Sequence, residues 1–335
     1  MKEIGTMRKN IDCNEVEIRE GFNQSFYKKN IPNQMDVIHA NELYKLCEPQ
    51  RIKSIAHLLW LLTLFLISFR ALELGSLFIY ATLLVYALHY TMHIAHECWH
   101  GILFRSKNAN RVWGQFLSGI LGMPYEFAKK IHFNHHRHLN SREDPGYQYT
   151  DPHLTRKEII KKLFGTLILA NHIKNTTYIL NMITKKKVFN ASLENSNKSV
   201  LNFRELLVPF IIHILLMSFI IFHFNFASFL IFEYCVLVLL PLVDAVRTLI
   251  DHRLGIGIDS AGFTRNCKIS RLDKILTKPY FDWHLLHHLY PQIPQSRLRE
   301  AEILVLKKIG ADNYYNCLAP NSFYGLLDAL KKHQP

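Results

Sequence analysis

Nineteen of the 335 residues are histidine, and eight of them fall in three short clusters. His96–Glu97–Cys98–Trp99–His100 sets two imidazoles four residues apart. His132–Phe133–Asn134–His135–His136 sets three at i, i+3 and i+4, and His284–Leu285–Leu286–His287–His288 repeats that spacing. Residues three and four apart share a helix face, so each cluster, placed on a helix, aims its imidazoles at one point. At this histidine content a single H-x-x-H-H arises by chance in roughly one chain in twenty. Two of them together with an H-x-x-x-H are far rarer. Neutral imidazole is the commonest metal ligand. One tetrahedral zinc needs four donors, whereas eight suit two ions of higher coordination number. His252, in Arg247–Thr248–Leu249–Ile250–Asp251–His252, offers a ninth.

Metal-bound imidazoles usually donate their second N–H to a carboxylate or carbonyl. Glu97, Asp144, Asp251 and Asp282 are placed for that role, and Asp282 serves equally as N-cap of a helix bearing the third cluster. His138 extends the second cluster but points off its face. His89 and His93 share the stripe of His96 and His100 at greater depth, and read as buried, hydrogen-bonded side chains. The first cluster also fits H-E-x-x-H, the zinc protease motif with Glu as general base. That reading needs one further ligand and leaves both H-x-x-H-H clusters unexplained.

These residues need helices ending at one level. Ser54–Phe69 and Leu74–Ala95 are uncharged runs of 16 and 22 residues. A bilayer core asks for about 20 apolar residues in a helix. Together they predict a transmembrane hairpin, with spans at about 54–71 and 74–95. A second apolar block predicts spans at about 206–223 and 226–249, with Glu233 inside the bilayer, neutral or paired to a neighbouring helix. Val112–Tyr125, uncharged but too short to span, reads as a surface-lying or re-entrant helix. Leu154–Met182 is a basic amphipathic stretch suited to the membrane interface or to an ordinary surface helix. Further helices are expected around Asp36–Cys47 and Ser296–Ile309, and a loop at 190–202. The chain thus divides into a polar N-terminal segment (1–50), a membrane domain (51–300) and a C-terminal helical segment (301–335).

The net charge is +13, from 40 Lys and Arg against 27 Asp and Glu. No nucleic-acid motif accompanies it, so no nucleic-acid partner is expected. The excess is asymmetric. Residues up to Lys53 carry nine Lys or Arg, residues 101–205 carry 17 and residues 250–335 carry 12, while the candidate outer loops carry Arg70 alone. The positive-inside rule then puts both termini and all three clusters on the cytoplasmic side. The six cysteines form no C-x-x-C pair and read as free thiols in a reducing compartment.

The boxes HECWH, HFNHHRH and HLLHH, with their surroundings HECWHGILFRSKNANR, HHRHLNSREDP and DWHLLHHLYPQIP, resemble those of the membrane fatty acid desaturases. The wider superfamily includes fatty acid hydroxylases and carotenoid ketolases. The resemblance covers roughly residues 55–300. It implies an all-α integral membrane protein with four transmembrane helices in two hairpins under a cytosolic helical cap. It also implies two non-haem iron ions held by His96, His100, His132, His135, His136, His284, His287 and His288, with His252 matching an extra histidine before the third box. Glu97 stands where some branches have Asp. The implied chemistry is O2-dependent oxidation of an apolar lipid chain, first of all fatty acyl desaturation, with hydroxylation or ketolation as the alternative. No His-Pro-Gly-Gly haem motif is present, so electrons are expected from a separate ferredoxin, cytochrome or reductase.

Overall fold

The structure, a computed structural model, describes Ile38, residues 40–139, 141–151, 153–168, 203–253 and 283–309, and the positions Thr264, 266–267, 318–319 and Leu330. The expectations for the N-terminal segment up to residue 37, for 169–182, for the 190–202 loop and for Asp282 lie outside the described residues. The helices are α1 (Ala40–Leu46), α2 (Arg51–Glu73), α3 (Leu77–Trp99), α4 (Lys107–Ile120), α5 (Tyr125–His138), α6 (Tyr147–Thr150), α7 (Arg156–Leu167), α8 (Phe203–His223), α9 (Phe226–Tyr234), α10 (Leu240–His252), α11 (His284–Leu289) and α12 (Gln295–Ile309). A π-helical turn at Cys235–Leu239 fuses α9 to α10. Among the described residues the strand structure is a two-residue parallel pairing of Asn266–Cys267 with Leu318–Ala319.

Three of these helices are long and apolar enough to cross a membrane: Arg51–Glu73, Leu77–Trp99 and the fused Phe226–His252. The apolar part of α8, Leu207–His223, is shorter. Large apolar side chains on their outer faces are bare, Phe78 at 85% and Phe222 at 84% exposure. Such a belt is unfavourable in water and natural against lipid.

The uncharged run starting at Leu74 is not all helix. Gly75 takes φ 73, and its N–H and that of Ser76 close onto Leu72 and Ala71, so α2 ends and α3 starts at Leu77. Hydropathy does not register this cap, because it is blind to backbone sign. At its other end α3 runs on to Trp99, and the first histidine cluster rides on its last turn and C-cap.

α3 is the central post. Tyr80, Leu84, Leu88 and Ile94 are fully buried, packed with Phe232, Cys235 and Ile220 from the second apolar block. α4 presses in on α3, α5 and α8 through small residues. A Cβ on Gly114 would collide with the Tyr125 ring and stand 3.0 Å from the Cys98 Cβ, and one on Gly119 would stand 2.7 Å from Ile212 and 3.1 Å from the Pro209 carbonyl. The Tyr125 hydroxyl, at this contact, donates to the Cys98 carbonyl at 3.0 Å and ties the start of α5 to α3. Glu233, inside the apolar block, is paired: its Oε1 lies 3.0 Å from His213 Nε2, while His213 Nδ1 donates to the Gly119 carbonyl at 2.9 Å.

Pro241 lies in the first turn of α10 and has no N–H for the preceding ladder; the π turn sits directly before it. The extra residue turns the following helix by about 100° relative to an unbroken α-helix, which sets the face that α10 presents further along. Cys47, Cys98 and Cys235 are buried and in no disulfide.

Gly114→Val should destabilise the protein by about 1–3 kcal/mol through overpacking against Tyr125. Val112→Ala, on the exposed side of the same helix, should cost under about 0.5 kcal/mol. Thermal unfolding in detergent compares the two.

Candidate metal centre

Nine imidazoles meet at the end of the helix bundle. His96 is in the last turn of α3 and His100 is its C-cap. Gly101, at φ 71, then closes a double cap: its N–H donates to the Cys98 carbonyl and that of Ile102 to the Glu97 carbonyl. Only glycine takes this backbone sign without strain, so Gly101 fixes where His100 stands. Asn110 secures the loop that follows, donating from Nδ2 to the carbonyls of Gly101 and Phe104 and accepting the Phe104 N–H at 3.0 Å.

The second cluster lies on α5 and the third on α11, whose His284, His287 and His288 are all buried. Leu286, opposite the histidines, packs with Ile293, Leu298 and Val305 near α12, and Trp283 Nε1 donates to Glu302 at 2.9 Å. α12 is anchored in turn to the entry of α2, by Lys53 to the Ser296 carbonyl and Arg297 to the Glu48 carbonyl.

The imidazoles form two adjoining nests. The ligand atoms of His96, His100, His132, His136 and His287 all lie within 4.8 Å of one another, and so do those of His135, His252 and His288. His284 completes the second nest, with Nε2 at 2.9 Å from His252 Nε2 and 3.2 Å from His288 Nε2. The expectation that each cluster aims at one point is therefore corrected. Residues i and i+4 differ by about 40° around a helix, whereas i+3 and i+4 differ by about 100°. So His132 and His136 share a nest while His135 turns to the other, and His284 and His288 share a nest while His287 crosses over.

The donor set fits two metal ions. Two neighbouring ligands about 2.1 Å from one ion stand about 3.0 Å apart when they subtend a right angle. The Nε2 pairs here are separated by 2.7 Å (His100 and His132), 2.8 Å (His132 and His136) and 3.2 Å (His136 and His287) in the first nest. Burial, and then the charge of neighbouring imidazoles, holds His100, His132, His136, His284 and His288 well below the ordinary histidine range. Burial with the charges of Arg247 and His135 takes His287 down to about 3. Neutral rings with open lone pairs are what a metal ion needs.

Of the four carboxylates singled out in the sequence, Asp144 Oδ1 lies 2.8 Å from His135 Nδ1 and also accepts the Gly146 N–H at 2.7 Å. It orients that ring so that Nε2 faces the second nest. Asp251 Oδ2 lies 3.7 Å from His284 Nε2 and 3.1 Å from Arg247 Nε. Glu97 is buried, and its Oε1 accepts the Gln295 N–H at 3.1 Å; it joins the first box to the start of α12. His138 belongs to neither nest. His89 and His93 face each other at 3.2 Å below the site.

Sequence reasoning missed Arg247. Its Nη1 lies 3.3 Å from His93 and its Nη2 3.3 Å from His284 Nδ1, so one guanidinium touches α3, α10 and α11. The signal was available, since Arg247 and Asp251 stand at i and i+4 just before His252.

The fatty acid desaturase family model matches residues 74–317. The chain belongs to the fatty acid desaturase family. No curated protein matches it. The match begins after α2 and takes in α3, the whole second apolar block and all three boxes, and it makes this desaturase-family chain a membrane enzyme of a metal-dependent oxidoreductase group that acts on lipid chains.

Two outcomes follow from this geometry. Asp144→Ala should lower metal affinity by about 10–100-fold, because His135 loses its orienting carboxylate; metal retention against a chelator series measures it. The depressed histidines also set the acid stability of the metal-free protein. Below the ordinary value of 6.5 the unfolded chain takes up protons that buried rings such as His287 refuse until about pH 3. The unfolded state then binds more protons, so stability must fall with pH across that window. Melting temperature of chelator-treated protein should drop steadily from pH 7 to pH 5.

Proposed function

We propose that this protein is an O2-dependent, non-haem di-iron lipid oxidase, and that its reaction is desaturation of a fatty acyl chain. The observation that carries the reading is the pair of adjoining all-imidazole nests, of five and four ligands, at the end of the apolar helices. Two iron ions held there would supply the redox chemistry that lets O2 remove hydrogen from an unactivated C–H bond. The residues assigned to them are His96, His100, His132, His136 and His287 on one side, and His135, His252, His284 and His288 on the other.

The chain's own part is to hold, orient and seclude. α3 and α10 bring His96, His100 and His252 up from the apolar layer, so the site stands where a lipid chain can reach it without crossing water. The two cross-over residues, His135 and His287, fix the spacing of the nests, since each belongs by sequence to a helix that mainly serves the other nest. Asp144 and Arg247 set ring orientation from outside. Glu97, bound to the Gln295 N–H, keeps the third box closed over the first.

In this reading α2 and α3 form one transmembrane hairpin, and α8 with α9–α10 forms the second. Both termini and the nests lie on the cytoplasmic side, as the Lys and Arg distribution favours. Electrons come from a separate ferredoxin, cytochrome or reductase. Hydroxylation or ketolation of a fatty acyl or isoprenoid chain is the second reading, because the same site serves hydrogen removal and oxygen insertion. A protease built on H-E-x-x-H leaves most of the imidazoles without a role.

A mass-spectrometric lipid profile of cells expressing wild type beside His287→Ala tests the proposal. A double bond present only with wild type is expected; a hydroxyl or keto group instead selects the second reading. His135→Ala should abolish turnover as His287→Ala does, with the protein still in the membrane, while His138→Ala should be milder. Full activity of His287→Ala would sink the assignment.

A further inference from the structure

The helix α7 presents its apolar side chains on two sides. Ile159 is fully buried and packs with Leu249 of α10, while Ile160, Phe164 and Ile168 are exposed at 48%, 59% and 59%. These three recur every fourth residue and so form one stripe along the helix. Lys157 and Lys161, three residues before Ile160 and Phe164, fall in the same exposed sector, and exposed Arg156 borders it. The acidic residue of this helix, Glu158, is committed to a capping box, accepting the Thr155 N–H and hydroxyl at 2.7 Å. The exposed sector is therefore cationic and apolar at once.

Its level is fixed by Arg253, which is 3% exposed and directly follows His252. Its two terminal nitrogens donate to the carbonyls of Asp151 and Leu154 at 2.6 Å each. The entry to α7 is thereby pinned where α10 leaves its apolar stretch. A soluble surface helix would not spend its outer face on Ile, Phe and Ile, and a spanning helix would not carry four cations in 12 residues.

We propose that α7 is a binding site for anionic phospholipid: Ile160, Phe164 and Ile168 sink into the acyl boundary, and Lys157 and Lys161 hold the phosphate headgroups. This rests on the membrane reading of the helices alone and not on the metals or the reaction. The occupant is a lipid surface because both halves of the chemistry are needed: lysines answer anionic headgroups, and a long apolar stripe answers acyl chains.

Full-length Phe164→Trp protein in lipid nanodiscs with bromine-labelled acyl chains tests this, with wild type as the background for the four native tryptophans. The added fluorescence should be quenched by brominated chains, and more strongly when about a third of the lipid is phosphatidylglycerol than in phosphatidylcholine alone. Adding Lys157→Gln and Lys161→Gln should remove that dependence on anionic lipid while leaving the melting temperature unchanged. Two results would overturn the proposal. One is an added tryptophan that brominated chains do not reach. The other is quenching indifferent both to phosphatidylglycerol and to the two lysines. If the lysine pair instead weakened binding of an acidic electron-donor protein, with the added tryptophan unquenched, this face would be a protein dock and the lipid assignment would fall.

Discussion

Everything in this fold answers to one constraint: nine imidazoles must turn their ring nitrogens toward two neighbouring points. Without an ion between them such rings gain little, since nitrogens at 2.7 to 3.2 Å compete for too few protons. The surrounding structure must therefore hold them there. Part of that hold comes from burial, which keeps protons off the rings. Part comes from stiff supports: a glycine cap after His100, a carboxylate behind His135, and a leucine-rich seat beneath α11. These supports are spread over the chain, so the site is a property of the whole bundle and of no single motif.

The sequence carried the histidine clusters and the elements that bear them, because imidazole spacing and uncharged runs are local. It did not carry the partition into nests. A motif written as H-x-x-H-H looks like one ligand group, yet adjacent residues on a helix diverge by about 100°. His135 and His136 therefore part company, and so do His287 and His288, so the second and third boxes each serve both nests while His96 and His100 share one. The i and i+4 pairs were enough to infer this division had the angular difference been applied within each box. The helix limits were less legible: the cap at Gly75 and the π turn before Pro241 change the path without changing the hydropathy.

Roles of acidic residues were the hardest to read, since they depend on long-range partners. Glu97 sits between two clustered histidines in sequence but accepts a backbone N–H from a helix about two hundred residues away. Arg247, which the histidine pattern gives no reason to notice, reaches three helices at once. A cation beside an imidazole cluster is tolerable because Asp251 lies against it at 3.1 Å, and together they present a neutral pair to the rings.

The same logic explains the polar pair deeper in the bundle. Glu233 alone among lipid-facing helices would be costly, and so would the unsatisfied His213 ring. Joined, with His213 Nδ1 donating to the Gly119 carbonyl, they need only one proton between Nε2 and Oε1 to satisfy both groups. The bond reaches Gly119 because that residue has no side chain: any Cβ there would meet Ile212 and push α4 away from α8. α4 leads through the turn at Gly122 into α5, so the close approach that buries this pair also sets the start of the helix carrying His132, His135 and His136. A polar contact within the apolar layer thus helps place imidazoles two turns further along α5.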